Sequence, residues 1–210
     1  MTETQTPQEF WEQRYQSMTK PPSGKPSGTL VHYVEGLTPG RALDLGSSRG
    51  DDVLWLAGQG WLAQGVDLSQ TAVDLANARA AEAGLGERAR FEQYDLTVDF
   101  PPGAFDLVSA MFLQSPMEFP RAEVLRKAVG AVAPGGVLII AEHGSAAPWS
   151  DQGPHVHHPT LAQTQEDLQL DVGQWDEVSV RTAERQATGQ MGQVAQVIDN
   201  ILVFRRRPTA

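Results

Sequence analysis

Residues 44–50 read Asp-Leu-Gly-Ser-Ser-Arg-Gly, an acid followed by a run of small side chains. Small residues let a chain turn tightly and let a ligand approach the backbone. Asp67 stands at the end of the next apolar run, in Gly65-Val66-Asp67-Leu68. A carboxylate at such a strand end can accept both hydroxyls of a ribose. A dinucleotide turn needs Gly-x-Gly-x-x-Gly, so that the pyrophosphate sits on a helix N-terminus. Here Gly46 and Gly50 have no glycine between them, and Asp51 and Asp52 open the following helix. Those two acids suit the helix dipole but would repel a pyrophosphate. A cationic sulfonium cofactor meets no such objection, and Asp44 is placed to position its amino group.

Other residues offer chemistry with less pattern behind them. Trp11 and Tyr15 are four apart and share a helical face, with Arg14 beside them. Besides plain packing, these three can form a lid over a cofactor, with Arg14 pairing a carboxylate. His143 follows an apolar strand at the edge where such sheets bind ligands, which makes it the candidate general base. His155, His157 and His158 lie in a Pro/Gly-rich stretch, 150–160. No carboxylate pattern accompanies them, so we expect no metal site, with His155 and His157 as candidates for lining a substrate pocket.

The elements that must position these groups follow from periodicity and breakers. Residues 7–18 read as a helix. The stretch 20–28 is dense in Pro and Gly and reads as a loop that hinges a lid. A short helix is expected over 29–36. Strands are expected at 41–45, 61–66, 88–94, 105–111 and 137–141. Helices are expected from Asp51 or Asp52 to Ala57, over 70–83 with Ser69 as N-cap, and over 121–132. Strands alternating with helices point to an α/β fold with a parallel sheet. The runs 177–182 and 194–205 have no helix between them and predict an antiparallel hairpin joined through 188–192.

Taken in order, these segments resemble the class I S-adenosylmethionine-dependent methyltransferases. Asp44, Gly46 and Gly50 match the acidic-x-Gly-x-Gly-x-Gly pattern, with Ser48 in the middle glycine place. Asp67, Tyr94-Asp95-Leu96, Phe105-Asp106-Leu107-Val108 and Ala133-Pro134-Gly135-Gly136 are similar to the later motifs. Trp11 and Tyr15 are similar to the Trp-x-x-x-Tyr helix of small bacterial thiopurine and tellurite-resistance enzymes. The resemblance implies a Rossmann-like fold: a mainly parallel seven-stranded sheet, an antiparallel C-terminal hairpin and helices on both faces. It implies S-adenosylmethionine as cofactor, held by Asp44, Gly46, Ser47, Ser48, Gly50, Asp67 and Leu68. It also implies Asp95 and Leu96 at the adenine, Ala110 and Met111 under the methionine, and the stretch Phe112-Leu113-Gln114-Ser115-Pro116 toward the substrate, with Phe112 and Gln114 as its pocket candidates.

Composition narrows the alternatives. The chain has 210 residues, which suits a single domain, with 1–28 as lid and 29–210 as core. It has no cysteine, which excludes disulfides, thiolate nucleophiles and Cys-based metal sites. The net charge of −10, with basic residues clustered only at Arg205, Arg206 and Arg207, argues against nucleic acid as partner. A small-molecule acceptor is favoured, methylated at N, O or S. No apolar run is long enough for a membrane span. Residues 1–10 lack the basic start and apolar centre of a signal peptide, so a soluble cytoplasmic protein is expected. The competing readings are a nicotinamide-dependent oxidoreductase on a similar sheet, and a non-catalytic ligand-binding protein that kept the fold.

Overall fold

Successive apolar residues along the central strands point to opposite faces, and both faces are covered. In β1 (Arg41–Leu45), Ala42 packs toward one core cluster while Leu43 and Leu45 pack toward the other. The same alternation runs through β4 (Phe105–Met111), β5 (Val132–His143) and β7 (Val194–Arg206). That is the period-2 signature of strands buried on both sides. One face is covered by α2 (Gly28–Val34), α3 (Asp51–Gly58) and α4 (Gln70–Glu82), the other by α5 (Arg121–Ala131) and α6 (Leu161–Leu168). The computed structural model describes residues 5–150, 157–189 and 191–209.

With β2 (Leu62–Asp67), β3 (Ala89–Gln93) and β6 (Trp175–Thr188), the strands form one seven-stranded sheet in the order β3-β2-β1-β4-β5-β7-β6. The first five are parallel, and β7 runs antiparallel to both β5 and β6. This is the architecture the sequence predicts. The chain leaves β1 for β2 on one side and returns to β4 on the other. That reversal opens a crevice at the carboxyl ends of β1 and β4, where ligands of such sheets bind. No helix among the described residues is long and apolar enough to cross a membrane.

Three local features differ from the expectations. First, β5 starts at Val132, directly after α5, with an irregular register across Pro134 to Gly136 instead of a clean turn. Second, α6 is not foreseen, although Thr160 and Gln163 form a capping box that fixes its start. Third, β6 and β7 are longer than expected. β5 pairs with β7 only as far as His143↔Asp199, so the hairpin beyond that pair projects past the sheet. At its base, Gly144 and Ser145 donate backbone N–H groups to the Ile198 carbonyl.

The N-terminal helix α1 (Pro7–Gln16) is capped by a reciprocal Thr6–Glu9 box. None of its residues is buried. The Pro/Gly loop after it, expected to be a free hinge, is tied to α3. The Ser23 hydroxyl donates to Asp51 at 2.6 Å, the Ser27 N–H to Asp52 at 2.5 Å, and the Arg49 guanidinium to the Lys20 carbonyl at 2.6 Å.

Candidate active site

The first wall of the site is main chain. Gly46 (φ 69°) and Ser48 (φ 51°) both adopt the left-handed conformation in the β1–α3 turn. A Cβ on Gly46 would come within 2.8 Å of Leu113 across the crevice, so glycine keeps that approach open. Ser48 takes the same kind of backbone at a steric cost that glycine avoids. The turn aims the Ser48 N–H at the Asp67 carboxylate, 2.9 Å away, and the Ser69 N–H reaches the other oxygen at 3.0 Å. The Tyr15 hydroxyl approaches Asp67 at 3.5 Å, at the long limit of a hydrogen bond. Burial raises the Asp67 carboxyl above its ordinary range, partly offset by the Ser69 and Ser48 amides. Burial and the Asp67 charge push the Tyr15 phenol up, so it remains a proton donor.

These groups open onto a cavity of about 980 Å³ at the carboxyl edge of the sheet. Trp11, Tyr15, Gly46, Ser48, Asp67, Leu68, Asp95, Leu96, Met111, Phe112 and Gln114 line it, and sequence analysis singled out all of them. Leu113 and Ser115, expected to face the substrate with Phe112 and Gln114, line it too, whereas Pro116 does not; Tyr94, Thr97, Met117 and Phe119 also line it, and the sequence alone did not assign them to the site. The dipeptide next to Tyr94 was the available signal for that residue. For the rest there was none, because they sit in an irregular loop.

Other candidates lie behind the wall. Asp44 is buried, accepts the Ser109 hydroxyl at 2.6 Å, and does not line the cavity. Burial and the neighbouring Asp52 charge push its carboxyl well up. Ser47 is buried, its hydroxyl without a partner among the described residues, and packs where a side chain on Gly65 would stand. Gly50 caps α3 in a left-handed conformation against Phe91. Ala110 is fully buried in the strand. The Arg14 guanidinium lies 5.6 Å over the Trp11 ring and not on the cavity.

The opposite wall, residues 111–120, is held by side chains. Phe112 adopts φ 58°, an outlier for an aromatic residue, and stacks on His143 with ring centroids 4.4 Å apart. His143 Nδ1 lies 3.1 Å from Asp199, and Asp199 also accepts the Arg185 Nε–H at 2.5 Å. Burial works against the Asp199 charge, but the His143 and Arg185 bonds outweigh it and hold the carboxyl below its usual range. His143 therefore stands behind Phe112, outside the cavity lining.

The Gln114 amide is spent on backbone, accepting from the His143 N–H at 2.7 Å and donating to the His157 carbonyl at 2.9 Å. His157 is exposed and does not line the cavity, and His155 lies outside the described residues. Below this wall, fully buried Glu142 pairs with Arg121 and accepts the Thr164 hydroxyl at 2.8 Å and the Asn200 amide at 3.0 Å. Arg121 in turn donates to the Leu113 carbonyl at 3.0 Å, which fixes the loop.

The cavity fits an adenosyl sulfonium better than a pyrophosphate. Its charged lining residues are Asp67, Asp95 and Glu118, with no lysine or arginine among the described ones. The buried Asp67 carboxylate meets the needs of a ribose, and the apolar Leu68 and Leu96 flank the slot next to Asp95.

Comparison with known proteins agrees. The family model described as "Methyltransferase domain" matches residues 42–136. The chain is 32% identical over 178 residues to the 2-heptyl-1-hydroxyquinolin-4(1H)-one methyltransferase of Mycobacteroides abscessus, covering 75% of each protein. A structure from work on the conversion of a disulfide bond into a thioacetal group during echinomycin biosynthesis superposes with TM-score 0.72. That match has 25% identity and covers 97% of this chain and 93% of the other. TehB from Haemophilus influenzae shares the fold at TM-score 0.66 and 13% identity, over 95% of this chain and 66% of its own. The glycine–serine turn and the buried Asp67 both fall within the matched residues, and the chain belongs to the class I S-adenosylmethionine-dependent methyltransferases.

Proposed function

We propose that this enzyme methylates an N, O or S atom of a small, flat, mostly apolar molecule. The observation that carries the reading is the composition of the second wall. Met111, Phe112, Leu113, Met117, Phe119 and Pro120 all line the cavity there, and no cationic side chain among the described residues does. A polyanionic nucleic acid needs a basic surface to displace counterions, and this cavity offers none. At about 980 Å³ the cavity is at the upper end of pockets for small ligands, room for a cofactor together with a compact acceptor. The hydroxyquinolone named for the Mycobacteroides relative is a molecule of that kind.

Bound S-adenosylmethionine supplies a methyl group on a positive sulfur, open to in-line attack by a lone pair. The protein's own contribution is geometry. Asp67 and the Ser48 and Ser69 amides fix the ribose end. Gly46 lets the chain pass close beneath the ligand. Phe112, braced by His143, offers an aromatic face against which a flat acceptor lies. Trp11 and Tyr15 cover the cavity from the α1 side and keep water out. Orientation of this sort is worth roughly 7–11 kcal/mol in favourable cases. In this reading the acceptor reacts in its own nucleophilic form, and His143 serves as the brace of the wall and not as a base.

Calorimetry with S-adenosylhomocysteine and NADH, followed by turnover on hydroxyquinolones, aryl thiols and aryl amines, tests the proposal. Asp67→Ala is expected to weaken S-adenosylhomocysteine binding by about a hundredfold, the loss of hydrogen bonds to a charged acceptor. NADH binding without adenosyl binding would establish the oxidoreductase reading. Cofactor binding with no turnover on the panel would favour a ligand-binding protein that kept the fold.

A further inference from the structure

Helix α1 brings Trp11 and Tyr15 to the cavity, yet little of its own surface holds it there. It has no buried residue, and its two cavity-side bonds are long: Trp11 Nε1 to the Ser115 hydroxyl at 3.4 Å, and Tyr15 to Asp67 at 3.5 Å. The close bonds between α1 and the core, among the described residues, all belong to Glu12. One oxygen of Glu12 accepts the Ser69 hydroxyl at 2.7 Å and the Thr71 N–H at 3.3 Å, and the other accepts the Thr71 hydroxyl. Ser69 and Thr71 form the first turn of α4, where backbone N–H groups lack partners within the helix and the dipole favours an anion. Those bonds hold the Glu12 carboxyl down to about 2, the Thr71 hydroxyl contributing most.

The chain that follows α1 is fixed independently, by Lys20, Ser23 and Ser27 on the start of α3. The freedom of α1 is therefore confined to residues 17–19, and the interaction that decides its position is the one at Glu12.

We propose that Glu12, which does not line the cofactor cavity, is a positioning residue for the cofactor: a polar latch that docks α1 on the N-terminus of α4, setting Tyr15 over Asp67 and Trp11 across the mouth. The proposal rests on Asp67 as the ribose acceptor, as argued above. Opening the latch swings α1 away, uncovers the ribose end and lets the cofactor exchange. Closing it seats Tyr15 and Trp11 over the bound cofactor and slows its release.

Four variants test this in the full-length chain: Glu12→Ala, Glu12→Gln, Thr71→Val and Asp67→Ala. Glu12→Ala is expected to raise the S-adenosylhomocysteine off-rate and the KM for S-adenosylmethionine about tenfold. With cofactor saturating, kcat should stay within about twofold, because the group lost acts on binding and not on the transfer itself. Glu12→Gln keeps an acceptor oxygen and should recover part of the affinity. Thr71→Val should weaken binding like Glu12→Ala, and the double variant should be no worse than either single one.

Backbone amide exchange of residues 7–16 should speed up in Glu12→Ala, while that of the β1 and β2 strands should not. An unchanged off-rate and unchanged exchange in Glu12→Ala would overturn the latch. So would a fall in kcat with cofactor affinity intact. If Asp67→Ala leaves affinity unchanged, the ribose assignment fails. Amide exchange in α1 still decides the latch separately.

Discussion

The two walls of the cavity are built by different means. The wall we assign to the cofactor is backbone: the Gly46–Ser48 turn and the amides of Ser48 and Ser69 converge on Asp67. The wall we assign to the acceptor is an irregular loop, 112–120, held from behind by the side chains of Arg121, Glu142, Gln114 and His143. Main-chain donors survive almost any side-chain replacement, whereas a loop hung on buried charges depends on each of its supports. A ribose is common to every use of the cofactor, and the acceptor is not. On that assignment, the wall that must stay constant carries its donors on the main chain and depends on one side chain, Asp67.

The sharpest way to break this contrast is at Glu142, which is 0% exposed and paired with Arg121. Glu142→Ala leaves a buried guanidinium without its partner and should cost about 3–5 kcal/mol in denaturant unfolding. Replacing the pair together, by Arg121→Met with Glu142→Leu, should recover much of that stability while the acceptor loop loses its anchor at Leu113. If Glu142→Ala costs less than about 1 kcal/mol, the acceptor wall does not hang on this pair.

A smaller change sharpens the other side. Ser48→Gly removes the strain of a left-handed serine and should stabilise the fold by about 1 kcal/mol, with the Ser48 amide still donating to Asp67. A loss of stability instead would mean that the Ser48 side chain, through Tyr15, contributes more than its backbone costs.

The smallest effect is expected at His143. If it braces Phe112 and does not take a proton, His143→Gln should hold kcat within about threefold, since losing a general base typically costs about a hundredfold or more. The change should appear in the KM for the acceptor. A kcat that falls steeply and loses its pH dependence would restore His143 as the base.

The same contrast explains what was legible beforehand. The sheet, its order-setting helices and the cofactor turn follow from local patterns: alternating apolar residues, caps, and an acid before small residues. Asp67 and Leu68 were readable because a strand end fixes where they point. Asp44 looked similar, but only the tertiary packing shows that it turns toward Ser109, behind the wall. Leu113 and Ser115 were legible from their place just after the fourth strand, but Met117 and Phe119 carry no periodicity, and their loop is anchored through Arg121 and Glu142. Glu12 was invisible for a related reason. A glutamate on the polar face of a helix reads as solvated until the first turn of α4 is seen beside it. Helix α6 is short and polar, and its capping box at Thr160 was the one signal for it.

The hairpin past the His143↔Asp199 pair has a bearing on how such an enzyme can diversify. Among the described residues its distal half pairs as a strand only with itself, so residues can be added or removed there without changing the register of β5 or disturbing the turn at Asp44. Loop closure grows only slowly with length, so such changes cost little. Yet Arg185, on that same hairpin, reaches Asp199 and through it the ring behind Phe112. Growth or trimming at the tip of this hairpin thus gives selection a handle on the wall we assign to the acceptor, separate from the turn we assign to the methyl donor.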